Sequence, residues 1–175
     1  MKGTKIITGL VRFSYAHVHE PQAAEEGEEK KFSVSILVPK KDKATLAKIK
    51  AAIENAKEES KGKFGGKVPK NLKTPLRDGD TEREDDDVYA GHFFMTAASK
   101  RKPQIVDANL DEIMDKEEFY SGCYGRASLN FYGYANKSNG IACGLNNLQK
   151  LEDGEKLGAS ISSASADFGD DEDLL

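Results

Sequence analysis

Between residues 124 and 134 the chain alternates, without a break, between two kinds of side chain. Gly125, Ala127, Leu129, Phe131 and Gly133 are small or apolar, while Tyr124, Arg126, Ser128, Asn130, Tyr132 and Tyr134 are aromatic, basic or hydrogen-bonding. A period of two puts these sets on opposite faces of a β-strand; at helical period they would mix around the whole circumference. The stretch therefore fits a half-buried strand, and such a strand needs a sheet. Asn136-Lys137-Ser138-Asn139-Gly140 has hairpin-turn chemistry, so strands are predicted at 123–134 and 141–149.

The rest of the chain supplies that sheet. Residues 6–18 read as a strand with Ile7, Val11, Phe13 and Tyr15 inward and Thr8, Arg12 and Ser14 outward. An acidic loop at 20–29 leads to a cleaner strand at 30–39, with Phe32, Val34, Ile36 and Val38 inward and Pro39 ending it. Leu46, Ile49, Ile53 and Ala56 recur at helical spacing, and Asp42 is a suitable N-cap, so a helix is predicted over 42–60. Its narrow apolar face suits a helix lying on a sheet or on a barrel end. Residues 61–87 read as a long irregular insertion, basic first and acidic later. Strands at 88–99 and 104–106 and one or two helical turns within 111–120 complete the reading. Five or more strands with one inserted helix predict a mainly β chain, a small Greek-key β-barrel over 1–156.

Charge is segregated along the chain. The net charge is −4, yet 157–175 holds five acids and no base, leaving 1–156 at +1. Glu25, Glu26, Glu28 and Glu29 form one acidic knot, and Glu82 with Glu84, Asp85, Asp86 and Asp87 forms another. Lys61, Lys63, Lys67, Lys70, Lys73 and Arg77 have no acid among them. Binding depends on local potential, so an acidic total does not exclude an anionic ligand. No run reaches the length of a membrane span, the N-terminus lacks a signal peptide's apolar core, and the only cysteines are Cys123 and Cys143. These features predict a cytoplasmic protein with reduced thiols and no membrane partner.

Three of the six tyrosines share one face of the 124–134 strand with Arg126 and Asn130. A tyrosine ring stacks on any base, for about 1–3 kcal/mol each, and arginine meets phosphates or stacks as well. The alternative is a strand whose tyrosines serve ordinary β-propensity and cross-strand pairing. Other cations favour an unpaired nucleic acid: Arg12 on the first strand, the basic turn Lys100-Arg101-Lys102, and Lys61, Lys63 and Lys67 as a flap carrying Phe64, an aromatic without an evident core role. Enzyme signatures are weaker. Gly62-Lys63-Phe64-Gly65-Gly66-Lys67 lacks Walker A spacing, and Gly122-Cys123-Tyr124-Gly125 is no nucleophile elbow. His17 and His19 with the two cysteines lack the local pairing of a zinc site, and the 82–87 carboxylates crowd into one loop. The expectation is a protein that is not an enzyme and carries no cofactor or metal. A metal-dependent nuclease and an acidic adaptor protein are the alternatives.

The end of the chain is a separate signal. A small-residue stretch, 158–166, precedes Asp167, Phe168, Gly169, Asp170, Asp171, Glu172, Asp173, Leu174 and Leu175. Such a tail cannot bury enough apolar surface to offset its ordering entropy. It is expected to be disordered over 157–175, and either to touch something basic with an apolar notch or simply to aid solubility. As a flexible chain it would span about 20–25 Å, against a radius of gyration near 15 Å for the body (roughly). The tip is thus expected to compete for the chain's own cationic groove.

With these residues in view, the chain resembles the OB-fold single-stranded-DNA-binding proteins of tailed phages. The resemblance runs from the Lys2-Gly3-Thr4-Lys5 start through "GLVRFSYAHV" and "FSVSILVPK" to "GCYGRASLNFYGY", "NGIACGLNNLQKLEDGEKLG" and the acidic tail, the two C-terminal blocks being the most specific. It implies an OB barrel that coats and protects single strands without sequence preference during phage replication, recombination or repair, in the host cytoplasm. It further implies a tail that recruits replication proteins such as a polymerase, helicase or primase, with self-association left open. The binding role falls on Tyr124, Arg126, Tyr132 and Tyr134 because they share a face. The tail ends in two leucines where some phage relatives end in phenylalanine, which leaves its docking partner open.

Overall fold

The computed structural model describes residues 3–23 and 25–157; the predicted tail, with Asp167, Phe168, Asp170, Asp171, Glu172, Asp173, Leu174 and Leu175, lies outside them. The strands are β1 (Lys5–Ile7), β2 (Val11–Gln22), β3 (Lys31–Pro39), β4 (Arg77–Asp78), β5 (His92–Ser99), β6 (Gln104–Val106), β7 (Tyr124–Ala135) and β8 (Asn139–Glu152). The helices are α1 (Lys43–Glu59) and the single turn α2 (Gly79–Glu82). Strands β2, β3, β5, β8 and β7 pair in that order, and β7 pairs back onto β2 to close a ring. Every contact in the ring is antiparallel except β5 with β8. This is the strand order of an OB-fold barrel, as expected.

The interior is filled from all five strands by Val11, Phe13, Val34, Ile36, Val38, Met95, Ala97, Leu129, Phe131 and Cys143, among others. Helix α1 closes one end, where Leu46, Ile49, Ile53 and Ala56 are buried and the helix packs on β7, β1 and β8. Asp42 caps it as predicted: its carboxylate accepts from the Thr45 N–H at 3.1 Å and from the Thr45 hydroxyl at 2.7 Å. Thr45 Oγ1 in turn accepts the Gly9 N–H at 2.9 Å, tying the helix start to the β1–β2 turn.

Several boundaries differ from the sequence reading for local reasons. The expected single strand at 6–18 is split between Ile7 and Val11, where the Gly9 N–H goes to Thr45 Oγ1 at 2.9 Å and not to a neighbouring strand. The break changes the face of β1, so Ile6 is buried and Ile7 exposed. Further along, β2 slips register between Ser14 and His17, and Tyr15 adopts φ 47°, which turns it outward instead of into the core. The insertion at 61–87 is more ordered than expected, with a 3₁₀ turn at Lys61–Phe64, then β4 and α2. The strand expected from 88 begins at His92, and the segment 111–120 holds only a 3₁₀ turn at Lys116–Glu118. Segment 79–91 folds over the outside of the barrel. There Tyr89 is buried with its ring edge-on to Phe94 at 5.0 Å, and Leu37 is buried outside the main core cluster. Lys40 holds this segment by ion pairs to Asp78 and Asp80, both at 2.7 Å. Among the described residues no helix is long and apolar enough to cross a membrane.

Two buried hydroxyls complete the edge of β7 that faces β1 and β2. Strand β1 pairs with 128–130 and β2 with 124–125, so a gap opens between them at Ala127. Thr8 Oγ1 fills it by accepting the Ala127 N–H at 3.0 Å, and Ser60 Oγ accepts the Gly133 N–H at 3.1 Å beyond the end of β1. Thr8→Val keeps the shape but leaves a buried donor unpaired, a loss of about 1–3 kcal/mol. The expected result is a lower urea midpoint at unchanged slope; an unchanged midpoint would mean that Ala127 finds another acceptor.

Candidate nucleic-acid interface

The predicted polar face of β7 exists: Arg126 and Tyr132 are exposed, and Tyr124, Ser128, Asn130 and Tyr134 are partly so, while the alternate residues are buried. The strand is long, and its face divides into three parts. At the start of β7, Arg12 sits 5.2 Å from the Tyr124 ring centroid and donates to the carbonyls of Gly122 (3.1 Å) and Glu155 (2.9 Å). This pair fastens the last described residues to the barrel. In the middle, Arg126 Nε donates to the Thr8 carbonyl at 3.0 Å. At the far end lie Asn130, Tyr132 and Tyr134.

That far end becomes a groove because β8 offers almost no side chains there. Asn130, Tyr132 and Tyr134 stand opposite Gly144, Ala142 and Gly140. A Cβ on Gly144 would come 2.7 Å from Asn130 Oδ1, and one on Gly140 would meet the Tyr134 hydroxyl at 2.4 Å, so these side chains lie across the glycine backbone. The result is a trough of about 370 Å³ lined by Lys31, Ala98, Ser99, Lys100, Arg101, Asn130, Tyr132, Gly144, Leu145 and Asn146. Tyr132 stays 41% exposed, enough to present ring surface. Partial burial raises its phenol above the ordinary value. Lys100 reaches Glu29 of the acidic knot at 3.3 Å, both side chains well exposed, a pairing that solvent keeps weak.

Of the residues selected from sequence, the fold thus gathers Asn130, Tyr132, Lys100 and Arg101. It separates the others. Lys102 points to a different hollow, beside His19, Glu112, Ile113 and Lys116. The cationic insertion follows the helix end: Lys61 pairs with Glu58 at 2.7 Å, Lys63 donates to the Gly133 carbonyl at 3.0 Å, and Lys67 is exposed. Phe64, thought to lack a core role, packs partly buried against the core, with its ring end about where a Gly133 Cβ would reach (3.1 Å). Sequence reasoning missed Lys31, which it had read only as the edge of a strand, and Asn146. It also missed Lys5, opposite Asn130 on β1. The alternation of Gly140, Ala142 and Gly144 was the available signal, since small residues at period two leave room above a sheet.

The arrangement can hold a chain of anions that also carries flat rings. Cations line one wall, an exposed phenol ring stands on the other, and carboxamides of Asn130 and Asn146 can donate or accept. No nucleophile is activated there. Burial raises the Cys123 and Cys143 thiols, away from reactive thiolate character. Among the described residues no group of three or more His, Cys, Asp or Glu side chains is placed to hold a metal ion.

Comparison with known proteins finds similar phage proteins. The family model described as "Enterobacter phage Enc34, ssDNA-binding protein" matches residues 4–175. A putative protein, p50, of Acyrthosiphon pisum secondary endosymbiont phage 1 is 28% identical over 176 residues, covering 95% of this chain and 93% of its own. The single-stranded DNA-binding protein from bacteriophage Enc34, solved in complex with ssDNA, superposes with a TM-score of 0.80 at 27% identity, over 89% of this chain and 90% of that one. A single-stranded DNA binding protein encoded by bacteriophage T7 shares the fold at 14% identity, with a TM-score of 0.62 over 96% of this chain and 94% of that one.

Proposed function

The chain belongs to the Enterobacter phage Enc34 ssDNA-binding protein family, and on that premise we propose that it binds single-stranded DNA without sequence preference. It coats and protects the strand during phage DNA replication, recombination or repair in the host cytoplasm. Its acidic end recruits replication proteins. The observation that carries the binding reading is the exposed Tyr132 ring, opposite Ala142 in a groove that it shares with Gly144, Lys31, Lys100 and Arg101. A ring face stacks on any of the four bases, and lysine and arginine meet phosphates that every nucleotide carries. Neither contact reads a base edge, which is why no sequence preference follows. The solved ssDNA complex of the Enc34 protein supports the reading through its similarity to this chain.

Titration of the full chain with oligo-dT tests it. Binding is expected to quench tyrosine emission and to weaken steeply with salt, log K falling by about 0.7 per log unit of salt for each phosphate contact. Absence of any interaction at low salt would remove the reading.

A further inference from the structure

Among the described residues two aromatic side chains are exposed, Tyr132 at 41% and Tyr15 at 52%. Tyr132 belongs to the groove above. Tyr15 stands where a bulky residue is disfavoured: φ 47° costs an aromatic side chain about 1–2 kcal/mol relative to extended backbone. The β2 bulge that imposes this turns the ring out over a second groove, of about 440 Å³, bordered by Ser14, Ala16, His17, Asp86, Tyr89 and Ser121. Arg83 steadies the ring from segment 79–91. Its Nη2 donates to the Tyr15 hydroxyl at 2.8 Å, and its guanidinium lies 5.4 Å from the Tyr15 ring and 4.5 Å from the Tyr89 ring.

The two grooves lie on one continuous outer face. Cross-strand register joins Asn130 to Gly144, Gly144 to Ala98, Ala98 to Ser33, and Ser33 to His17. From the Tyr132 groove to the Tyr15 groove is therefore four strand spacings, about 19 Å along the sheet. Asp86 disfavours a phosphate in the second groove, but its carboxylate is turned to the Val88 N–H at 3.1 Å and to Arg83 at 3.9 Å. The groove suits the uncharged part of a nucleotide.

We propose that Tyr15 and the groove beneath it form a second base-stacking subsite, reached by a single strand that leaves the Tyr132 groove and crosses β8, β5 and β3. The proposal rests on the single-strand reading above. Arg83 acts as a positioning residue, holding the ring and leaving the phosphates to Lys31, Lys100 and Arg101.

The test compares oligo-dT of about 4 and about 12 nucleotides, within the usual span of one OB fold. Tyr15→Ala is expected to weaken the longer oligonucleotide by about fivefold or more and to leave the shorter within about twofold. Tyr15→Phe loses the hydroxyl's bond to Arg83 but keeps the ring and its contact with the guanidinium, and should bind both oligonucleotides within about twofold of the native chain. Tyr15→Asn suits a left-handed residue, so its Tm should equal or exceed that of the native chain while its affinity for the longer strand falls. Equal loss at both lengths, no loss at either, or a lowered Tm for Tyr15→Asn would each overturn the proposal. Failure of the native chain to bind either oligonucleotide would instead remove the single-strand reading beneath it.

Discussion

A chain carrying both Lys100→Glu and Arg101→Glu is expected to lose about two orders of magnitude in affinity for oligo-dT at about 50 mM salt, and to show a log–log salt slope shallower by about 1.4. The slope follows from two lost phosphate contacts at about 0.7 each for a single strand. The loss in affinity is larger than two missing contacts would give, because each substitution also places a like charge against the backbone. Both side chains are exposed on the turn between β5 and β6, and the ion pair of Lys100 to Glu29 is a surface one, so the fold should be little affected. Lys102→Glu is the matched control. It changes the same charge one residue away but faces the hollow beside His19 and Lys116, so its effect should stay within about threefold. Tyr132→Ala should weaken binding through stacking, by about 1–3 kcal/mol, with the salt slope unchanged. If the double reversal leaves the slope as it was, phosphates do not lie along the Lys100–Arg101 wall.

What was legible in the sequence, and what was not, follows from the range of each interaction. The alternation at 124–134 needs only the two-residue period of a strand and the apolar drive to bury one side. β7 accordingly has the predicted faces and nearly the predicted ends. Helix α1 was similarly local, with Asp42, Thr45 and four apolar positions all inside its own span. Tyr15 was misplaced because its orientation comes from a bulge against β3 and from Arg83, 68 residues later. Phe64 was misread because its partner surface at Gly133 is equally distant in sequence. The candidate site shows the same divide. Tyr132 and Asn130 could be read from one strand, but Lys100 and Arg101 separate from Lys102 only when the turn is set against β8. Lys31 joins them only because β3 pairs with β5 so that Phe32 meets Ser99.

Removing residues 167–175 is expected to raise the affinity for oligo-dT about tenfold at low salt, with the gain fading toward high salt. The nine residues hold five carboxylates and no base, so the shortened chain changes from a net −4 to +1. Leu157, the last described residue, has its N–H held by the Ser121 carbonyl at 2.8 Å and lines the Tyr15 groove. The acids are therefore tethered to the barrel at one end of the proposed strand path. The 18 residues beyond Leu157 have a contour of about 60 Å, long enough to reach the cations near Tyr132. A segment tethered this way acts at an effective concentration on the order of 1 mM; if it meets the groove with a dissociation constant of about 0.1 mM, competition weakens DNA binding about tenfold. Screening shortens the range of that attraction from about 10 Å at 0.1 M salt to about 3 Å at 1 M, which is why the gain must fade. Neutralising the same five acids to Asn or Gln in the full chain should reproduce the gain, whereas Leu174→Ala with Leu175→Ala should not. Equal affinity of the full and shortened chains at low salt would show that the acidic end does not compete for the groove, and that its role lies with other proteins alone.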